Sequence, residues 1–107
     1  MAQDFERVPK VVGNSASTIL TSNSDDTVIG VHCANVTNSQ ITADIFVTVS
    51  GVDYYWIKNA PIPAGSAIQV CDGGAKFVLQ SGDILKAQAS AASSLHVWTS
   101  LVDAISE

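Results

Sequence analysis

Apolar residues recur at every second position in several short stretches of this chain, which is the period of a β-strand. The clearest stretch is Ile41–Val49, whose one side carries Ile41, Ala43, Ile45, Val47 and Val49. The stretch Leu95–Ile105 alternates in the same way, with Leu95, Val97, Thr99 and Leu101 opposite His96, Trp98, Ser100 and Val102. Both patterns predict strands that turn one face towards an apolar core.

Glycine and proline separate these stretches at regular intervals. The segment Ala60–Ser66 reads A-P-I-P-A-G-S and lies between two strand-like runs. Because proline fixes φ near −65° and glycine accepts positive φ, we expect a type II turn at Pro63-Ala64-Gly65, with Pro63 at its first central position. Further turns are predicted at Asp72-Gly73-Gly74 and at Ser81-Gly82-Asp83.

Short strands joined by tight turns predict an all-β fold, an antiparallel β-sandwich of jelly-roll or Ig-like type with about eight strands. The expected strands are Ser17–Thr21, Thr27–Val36, Ile41–Val49, Tyr54–Lys58, Ala67–Cys71, Lys76–Gln80, Asp83–Ser90 and Leu95–Ile105. Residues 41–58 should form a hairpin.

The chain of 107 residues has the length of a single domain. We assign the sandwich to residues 13–107 and an N-terminal extended arm to residues 1–12. The first twelve residues mix charges with apolar residues and show little periodicity, so we expect an arm that orders against a partner. An alternative is a short edge strand formed by Val8, Val11 and Val12 around Pro9, since proline is confined to edges in sheets.

The low content of charged residues indicates what kind of surface this protein has. Apolar residues make up 47% of the chain and charged residues only 14%, against about 25% in an average soluble domain. A weakly charged surface favours a component of an assembly over a freely diffusing monomer, although a compact domain with a neutral polar surface fits as well.

The net charge is −5 and no basic cluster occurs, which argues against nucleic-acid binding. No apolar run approaches the ~20 residues of a membrane span, and the polar start does not resemble a signal peptide.

The residues that most often carry chemistry do not form a recognisable catalytic or metal motif. The serines lack a G-x-S-x-G nucleophile elbow, and His32 and His96 are interpreted as residues of a solvated or interface face. Cys33 and Cys71 lack zinc-site spacing, and they are interpreted as apolar fillers, with a disulfide between them as the alternative. We therefore expect no enzyme, no metal and no cofactor.

Aromatic residues at Tyr54-Tyr55-Trp56 leave two interpretations open. Exposed rings on a strand would suit a carbohydrate-binding module that recognises host-surface glycans. The preferred interpretation is that Trp56 joins the core while Tyr55 covers an edge or an interface.

Residues 27–105 resemble small virion structural proteins of tailed bacteriophages of the marine and cyanobacterial phage type. The resemblance rests on Tyr54-Tyr55-Trp56, on Ile62-Pro63-Ala64-Gly65-Ser66, on residues 79–85 (L-Q-S-G-D-I-L), on the Ala/Ser-rich Ala87–Ser93, and on the strand Leu95–Leu101. These motifs describe turns and strands of a sandwich, and the family pattern contains no catalytic residue.

The resemblance implies a structural role in the virion. The first candidate for this role is a capsid decoration or cement protein that binds the major capsid protein, as a homo-oligomer or as lattice-bound copies. The second candidate is a neck, tail or baseplate component in contact with other virion proteins. The possible interface residues are Phe5, Val8, Val11, Val12, Tyr54, Tyr55 and Trp56.

Overall fold

The structure is a computed structural model that describes residues 4–22, 26–71 and 77–103. Nine strands lie in this part of the chain and pair antiparallel in two sheets. The strands are β1 (Asp4–Val12), β2 (Ser17–Thr21), β3 (Asp26–Asn35), β4 (Ile41–Val49), β5 (Val52–Ile62), β6 (Ala67–Cys71), β7 (Phe77–Leu79), β8 (Ile84–Ala89) and β9 (Leu95–Asp103). Sheet A has the order β1-β9-β3-β6, with β7 also paired to β3, and sheet B has the order β2-β8-β4-β5.

The pairing of the strands is nested around the β4–β5 hairpin. Strand β1 pairs with β9, β2 pairs with β8, and β3 pairs with both β6 and β7. The chain therefore runs as one long hairpin that is wrapped into two facing sheets, which is the jelly-roll form of the sandwich. The predicted all-β antiparallel sandwich is confirmed, and of the two types that the sequence left open the topology is the jelly roll.

The core lies between the two sheets and is filled by the alternating side chains that the sequence pattern identified. Ile45 and Leu85 of sheet B, and Val31, Leu95 and Val97 of sheet A, are at most 2% exposed. Burying a side chain of this size stabilises a fold by about 1.5–3 kcal/mol relative to leaving it exposed. The alternation of β4 therefore fixes which of its faces turns inward.

The first strand differs from the expected arm. Asp4–Val12 is an edge strand that pairs with β9 at nine positions, so this segment is ordered within its own chain. Val12 is fully buried and Val8 packs against the core, whereas Pro9 and Val11 lie on the outer face. An edge strand tolerates Pro9 because one side of its backbone needs no partner. The twelve-residue arm is therefore not seen over residues 4–12, and residues 1–3 lie outside the described residues.

The turn after β5 lies one residue later than predicted. Strand β5 continues through Pro61 to Ile62, and the amide of Ser66 donates to the carbonyl of Pro63 at 3.1 Å. Pro63 is therefore the first residue of the turn, not its first central residue, and Gly65 has the positive φ of 68° that a type II turn needs. The predicted turn at Ser81-Gly82-Asp83 is present, with the amide of Asp83 bonded to the carbonyl of Gln80 at 3.0 Å. The predicted turn at Asp72-Gly73-Gly74 lies outside the described residues.

A buried amide joins the loops at one end of the sandwich. The Nδ2 group of Asn35 donates to the carbonyls of Ser39 and Ile62 at 2.7 and 2.9 Å, and its Oδ1 accepts from the hydroxyl of Thr37 at 2.7 Å. These bonds satisfy groups that would be costly to bury without partners. Among the residues described, there is no helix of the length and apolarity required to cross a membrane.

Candidate functional site: the outer face of sheet A

The outer face of sheet A carries a row of side chains at the middle of the sheet. Pro9 of β1 and His32 of β3 lie directly opposite Trp98 of β9, one on each side of it. Gln69 of β6 continues the row, and its Oε1 accepts a hydrogen bond from Nδ1 of His32 at 2.8 Å. Trp98 remains 46% exposed although its strand is flanked on both sides, so a large aromatic surface lies open at the centre of this sheet.

A second row lies beside the first and completes a shallow groove. Val11, His96 and Ala34 are paired across β1, β9 and β3, and Val11 is 57% exposed. The groove has a volume of about 300 Å³. We call it the outer-face groove, and its lining residues are Pro9, Lys10, Val11, His32, Ala34, His96, Val97 and Trp98.

The charge at this groove differs from that of the whole chain. The guanidinium carbon of Arg7 lies 5.7 Å from the centre of the Trp98 ring, within the range of a cation–π contact. Lys10 also borders the groove, although its position opposite the buried Val97 places its side chain on the core side of the edge strand β1. None of the described residues that line the groove is acidic. The chain as a whole carries a net charge of −5, so this apolar face is locally basic.

The outer face of sheet B also carries an aromatic residue at its centre, but there the ring is covered. Phe46 of β4 is only 4% exposed because Tyr55 of β5 packs on it, with ring centres 4.8 Å apart. The ammonium of Lys58 lies 4.3 Å from the centre of the Tyr55 ring. Lys86 of β8 is paired with Phe46 on its other side. Tyr55 and Lys58 thus cover Phe46 within one chain, while Tyr55 itself stays 44% exposed, and we call Phe46, Tyr55 and Lys58 the aromatic cover.

Two irregularities in the β4–β5 register shape this cover. The pairing shifts between Ala43 and Ile45 and again between Ile45 and Phe46, as β-bulges do. Asn59 has a positive φ of 54° at the first shift, and its amide donates to Oδ1 of Asp44 at 2.6 Å. The bulges let Trp56 and Ile57, although consecutive, both pack against the core.

The end of the β4–β5 hairpin is a second exposed apolar region. Val52 and Tyr54 are 52% and 56% exposed, and Asp53 accepts a hydrogen bond from the hydroxyl of Thr48 at 2.6 Å. The last paired position of β4 with β8 is Thr48, opposite Ile84. The hairpin therefore extends beyond its neighbouring strand over residues 49–52. We call residues 49–54, which include the adjoining Asp53 and Tyr54, the hairpin end.

The structure separates the predicted interface residues into different environments. Val11 lines the outer-face groove and Tyr54 lies on the hairpin end, so both are accessible. Val12 is fully buried in the core, so the prediction that it lies at an interface is wrong. Val8 is half-buried against the core, and the side chain of Phe5 lies outside the described residues.

The three adjacent aromatic residues do not form one stacking surface. Tyr54 is paired with Val47 and Tyr55 with Phe46, so their rings lie on opposite faces of sheet B. The Trp56 ring stacks on Phe77 of β7 with centres 3.9 Å apart. Trp56 thus packs against the core, as the preferred interpretation had it. Tyr55 lies on the edge strand β5, as that interpretation allowed, and covers Phe46. The platform expected of a carbohydrate-binding module is not assembled from these residues.

The central residue of the candidate site, Trp98, was missed as an interface residue. Its signal in the sequence was an aromatic side chain on the polar side of a strand whose other side reads as core. His32 and His96 are exposed on the same face, in agreement with their interpretation as surface residues. Which of these residues meet across the sheet depends on the pairing of β1, β3 and β9, which are distant in sequence.

The candidate chemical groups show no reactive arrangement in the part of the chain that is described. Cys33 is a free thiol buried in the core, which does not support the alternative of a disulfide. Burial raises the pKa of this thiol to about 12, so it stays protonated at neutral pH. No group of three or more His, Cys, Asp or Glu side chains suited to a metal ion occurs among the described residues.

Comparisons with known proteins bear on the fold. No known protein family matches the chain, and no curated protein matches it. The fold is similar to that of a solved structure from Bacillus endospore appendages, described as a novel family of disulfide-linked pili. That similarity has a TM-score of 0.57 and covers 98% of this chain and 88% of the other, at 15% sequence identity. At this identity the similarity establishes a shared fold.

Proposed function

We propose that this chain is a structural subunit of a virion, a capsid decoration or cement protein that stabilises the particle by binding the major capsid protein. A neck, tail or baseplate component is the alternative position in the particle. The virion assignment rests on the resemblance of residues 27–105 to phage structural proteins. The structural role rests on the architecture described above.

The observation that carries the structural role is the half-exposed Trp98 at the centre of the outer-face groove. A chain that covers Phe46 on one sheet leaves a larger aromatic residue open on the other. Exposed apolar surface of this kind marks interaction sites in soluble proteins, and tryptophan and arginine are enriched among the residues that dominate binding energy. Arg7 and Trp98 are both present here and in contact.

The weak charge of the chain and the shared fold add to this argument. Charged residues make up 14% of the sequence, and charged residues are depleted at the centres of protein interfaces. The similar solved structure comes from appendages described as pili. A rigid jelly roll with apolar outer regions suits the same general task of building a large object from many copies.

Quantitative mass spectrometry of purified particles tests the proposal. A decoration protein is expected at a copy number comparable to that of the capsid protein, and a neck or tail component at about a dozen copies, as closed rings require. The variant Trp98→Ser should reduce incorporation, whereas Val36→Ser is the matched control because Val36 is 49% exposed and lies outside the groove. Particles that lack the chain altogether would refute the virion assignment.

A further inference from the structure

Both histidines of this chain lie on the outer face of sheet A. The sequence contains two, His32 of β3 and His96 of β9, and both are exposed. His32 is paired with Trp98, and His96 precedes Trp98 by two residues on the same strand. The two histidines are therefore diagonal neighbours on one face of adjacent strands, and both line the outer-face groove.

Diagonal neighbours of an antiparallel pair are close enough to bind one ion together. Residues at such positions lie about 7–8 Å apart, a distance that aromatic side chains span. An imidazole nitrogen binds a zinc ion at about 2.0–2.1 Å, so two ring nitrogens about 3.3 Å apart hold one ion in tetrahedral geometry. Because His96 is exposed, its ring can change rotamer and turn towards His32.

A hydrogen bond prepares His32 to bind a metal ion. Its Nδ1 donates to Oε1 of Gln69 at 2.8 Å, which leaves Nε2 unprotonated in the neutral ring. Histidines that bind metals almost always donate their other ring N–H to an acceptor, because that bond fixes the tautomer and the orientation of the ring. Gln69 lies directly opposite His32 in the pairing of β3 with β6, so the sheet itself brings the two side chains together.

The positive charges near the groove lie away from the two histidines. Arg7 is paired with Ser100, on the far side of Trp98 from His96, and its guanidinium contacts the Trp98 ring. The side chain of Lys10 lies on the core side of β1. Repulsion between exposed charges is screened by salt, and the net charge of −5 on the whole chain favours cations.

We propose that His32 and His96 form a binding site for a divalent transition-metal cation such as Cu²⁺, Ni²⁺ or Zn²⁺, and that Gln69 positions His32 for it. Imidazole is a suitable ligand for all three ions, and water fills the coordination positions that the protein leaves open. The sequence shows no metal motif because the two ligands meet only through the pairing of β3 with β9. This site goes beyond the proposed structural function and does not depend on the virion assignment.

Isothermal titration calorimetry of the full chain with each of the three ions tests the site. Cu²⁺ should bind more tightly than Ni²⁺ or Zn²⁺. His32→Ala and His96→Ala should each weaken Cu²⁺ binding at least tenfold, since even the loss of an outer-shell partner costs that much. Cu²⁺ should also quench the fluorescence of Trp98, and Trp98→Phe should remove the quenching but keep the binding.

Variants of Gln69 separate a positioning role from a merely structural one. Gln69→Leu removes the acceptor for His32 and should weaken Cu²⁺ binding about tenfold. Gln69→Glu supplies a carboxylate acceptor, which raises the basicity of the ligand and should strengthen binding. Gln80→Glu is the matched control, because it adds the same charge at an exposed residue outside the groove and should leave binding unchanged. Equal losses in both Gln69 variants would overturn the positioning role.

Pulsed electron paramagnetic resonance of the Cu²⁺ complex counts the bound imidazoles. Two are expected in the wild type and one in each histidine variant. A single imidazole in the wild type would overturn the paired site. Wild-type affinity in both histidine variants, with no imidazole bound, would mean an adventitious ion only. Either failure would leave the proposed function intact, because that proposal is tested by copy number in purified particles.

Discussion

Sheets A and B each place one large aromatic residue on the outer face of a central strand. Phe46 of sheet B is 4% exposed because Tyr55 packs on its ring, whereas Trp98 of sheet A is 46% exposed. The neighbours of Trp98 include Pro9, His32 and Val11, which form walls, and Arg7, whose guanidinium carbon lies 5.7 Å from the ring centre; together they leave nearly half of the residue exposed. The comparison shows that the central aromatic residue of sheet B is buried beneath a second ring, Tyr55, which is itself 44% exposed, whereas in sheet A the central ring is itself the exposed one.

The outer faces of the two sheets contribute differently to the folding stability of the single chain and to its binding of other molecules. The aromatic cover of sheet B lowers the exposed apolar area of the single chain and therefore contributes to its folding. The open groove of sheet A contributes less to folding but keeps apolar surface available to another molecule. Substitutions on the two faces should therefore affect different measurements.

The largest expected difference is in folding stability after removal of the two aromatic side chains. Phe46→Ala should lower the free energy of unfolding by about 3 kcal/mol, since a buried ring is lost. Trp98→Ala should lower it by about 1 kcal/mol or less, because much of that ring already contacts water. Urea denaturation measures both, and equal losses would contradict the distinction between the faces.

Removing the cover itself should have a smaller effect. Tyr55→Ser exposes Phe46 and breaks the ring pair, which should lower the free energy of unfolding by about 1.5 kcal/mol. The neighbouring Tyr54→Ser is the matched control, and a loss of about 0.5 kcal/mol or less is expected because Tyr54 is 56% exposed. If both variants lose the same stability, Tyr55 does not act as a cover.

An unpaired hydroxyl on the core side of sheet A can be compared with a paired hydroxyl on the outer face of sheet B. Thr99 of sheet A is fully buried, and its Oγ1 has no hydrogen-bond partner among the described residues. Thr99→Val keeps the shape and removes the unpaired hydroxyl, so it should raise the free energy of unfolding by about 1 kcal/mol. In the control Thr48→Val, the lost hydroxyl donates to Asp53, and stability should fall. A fall in the free energy of unfolding of both variants would mean that the Thr99 hydroxyl has a hydrogen-bond partner in the folded protein.

The smallest effect concerns the thiol on the core side of sheet A and appears only at alkaline pH. Burial raises the pKa of Cys33 from 9.0 to about 12, so the unfolded chain loses this proton at lower pH than the folded chain. Stability from this group is complete below pH 9 and is lost as pH rises towards about 12. The wild type should lose about 0.8 kcal/mol relative to Cys33→Ala by pH 9.5. Parallel pH profiles of the two proteins in urea denaturation would contradict a buried thiol.

Period-2 patterns predicted most of the fold because they report directly on which side of a strand faces the core. Ile41–Val49 has the bounds that its alternation indicated, and the Gly65 turn follows from the chemistry of glycine. Strand β1 was given only as the alternative to an arm, because Pro9 and the neighbouring charges hide its pattern and an edge strand requires only one regular face. Strand β5 was drawn too short because two bulges break its alternation.

The candidate site was harder to predict than the fold. Alternation placed Trp98 and His96 on the outward side of β9, but it does not report which outward residues stay uncovered. That depends on the register of β1 and β3 beside β9, which brings Pro9 and His32 to Trp98 from distant parts of the chain. Tyr55 was assigned to an edge or an interface, and its contact with Phe46 was not predicted although both residues belong to one hairpin.

Hydroxyl-radical footprinting of Trp98 in the assembled particle tests the central claim most directly. If the outer face of sheet A is a contact surface, oxidation of Trp98 should fall severalfold between the free chain and the particle. Tyr55, whose role is internal to the chain, should be oxidised equally in both. Equal oxidation of Trp98 in the free chain and in the particle would contradict the account.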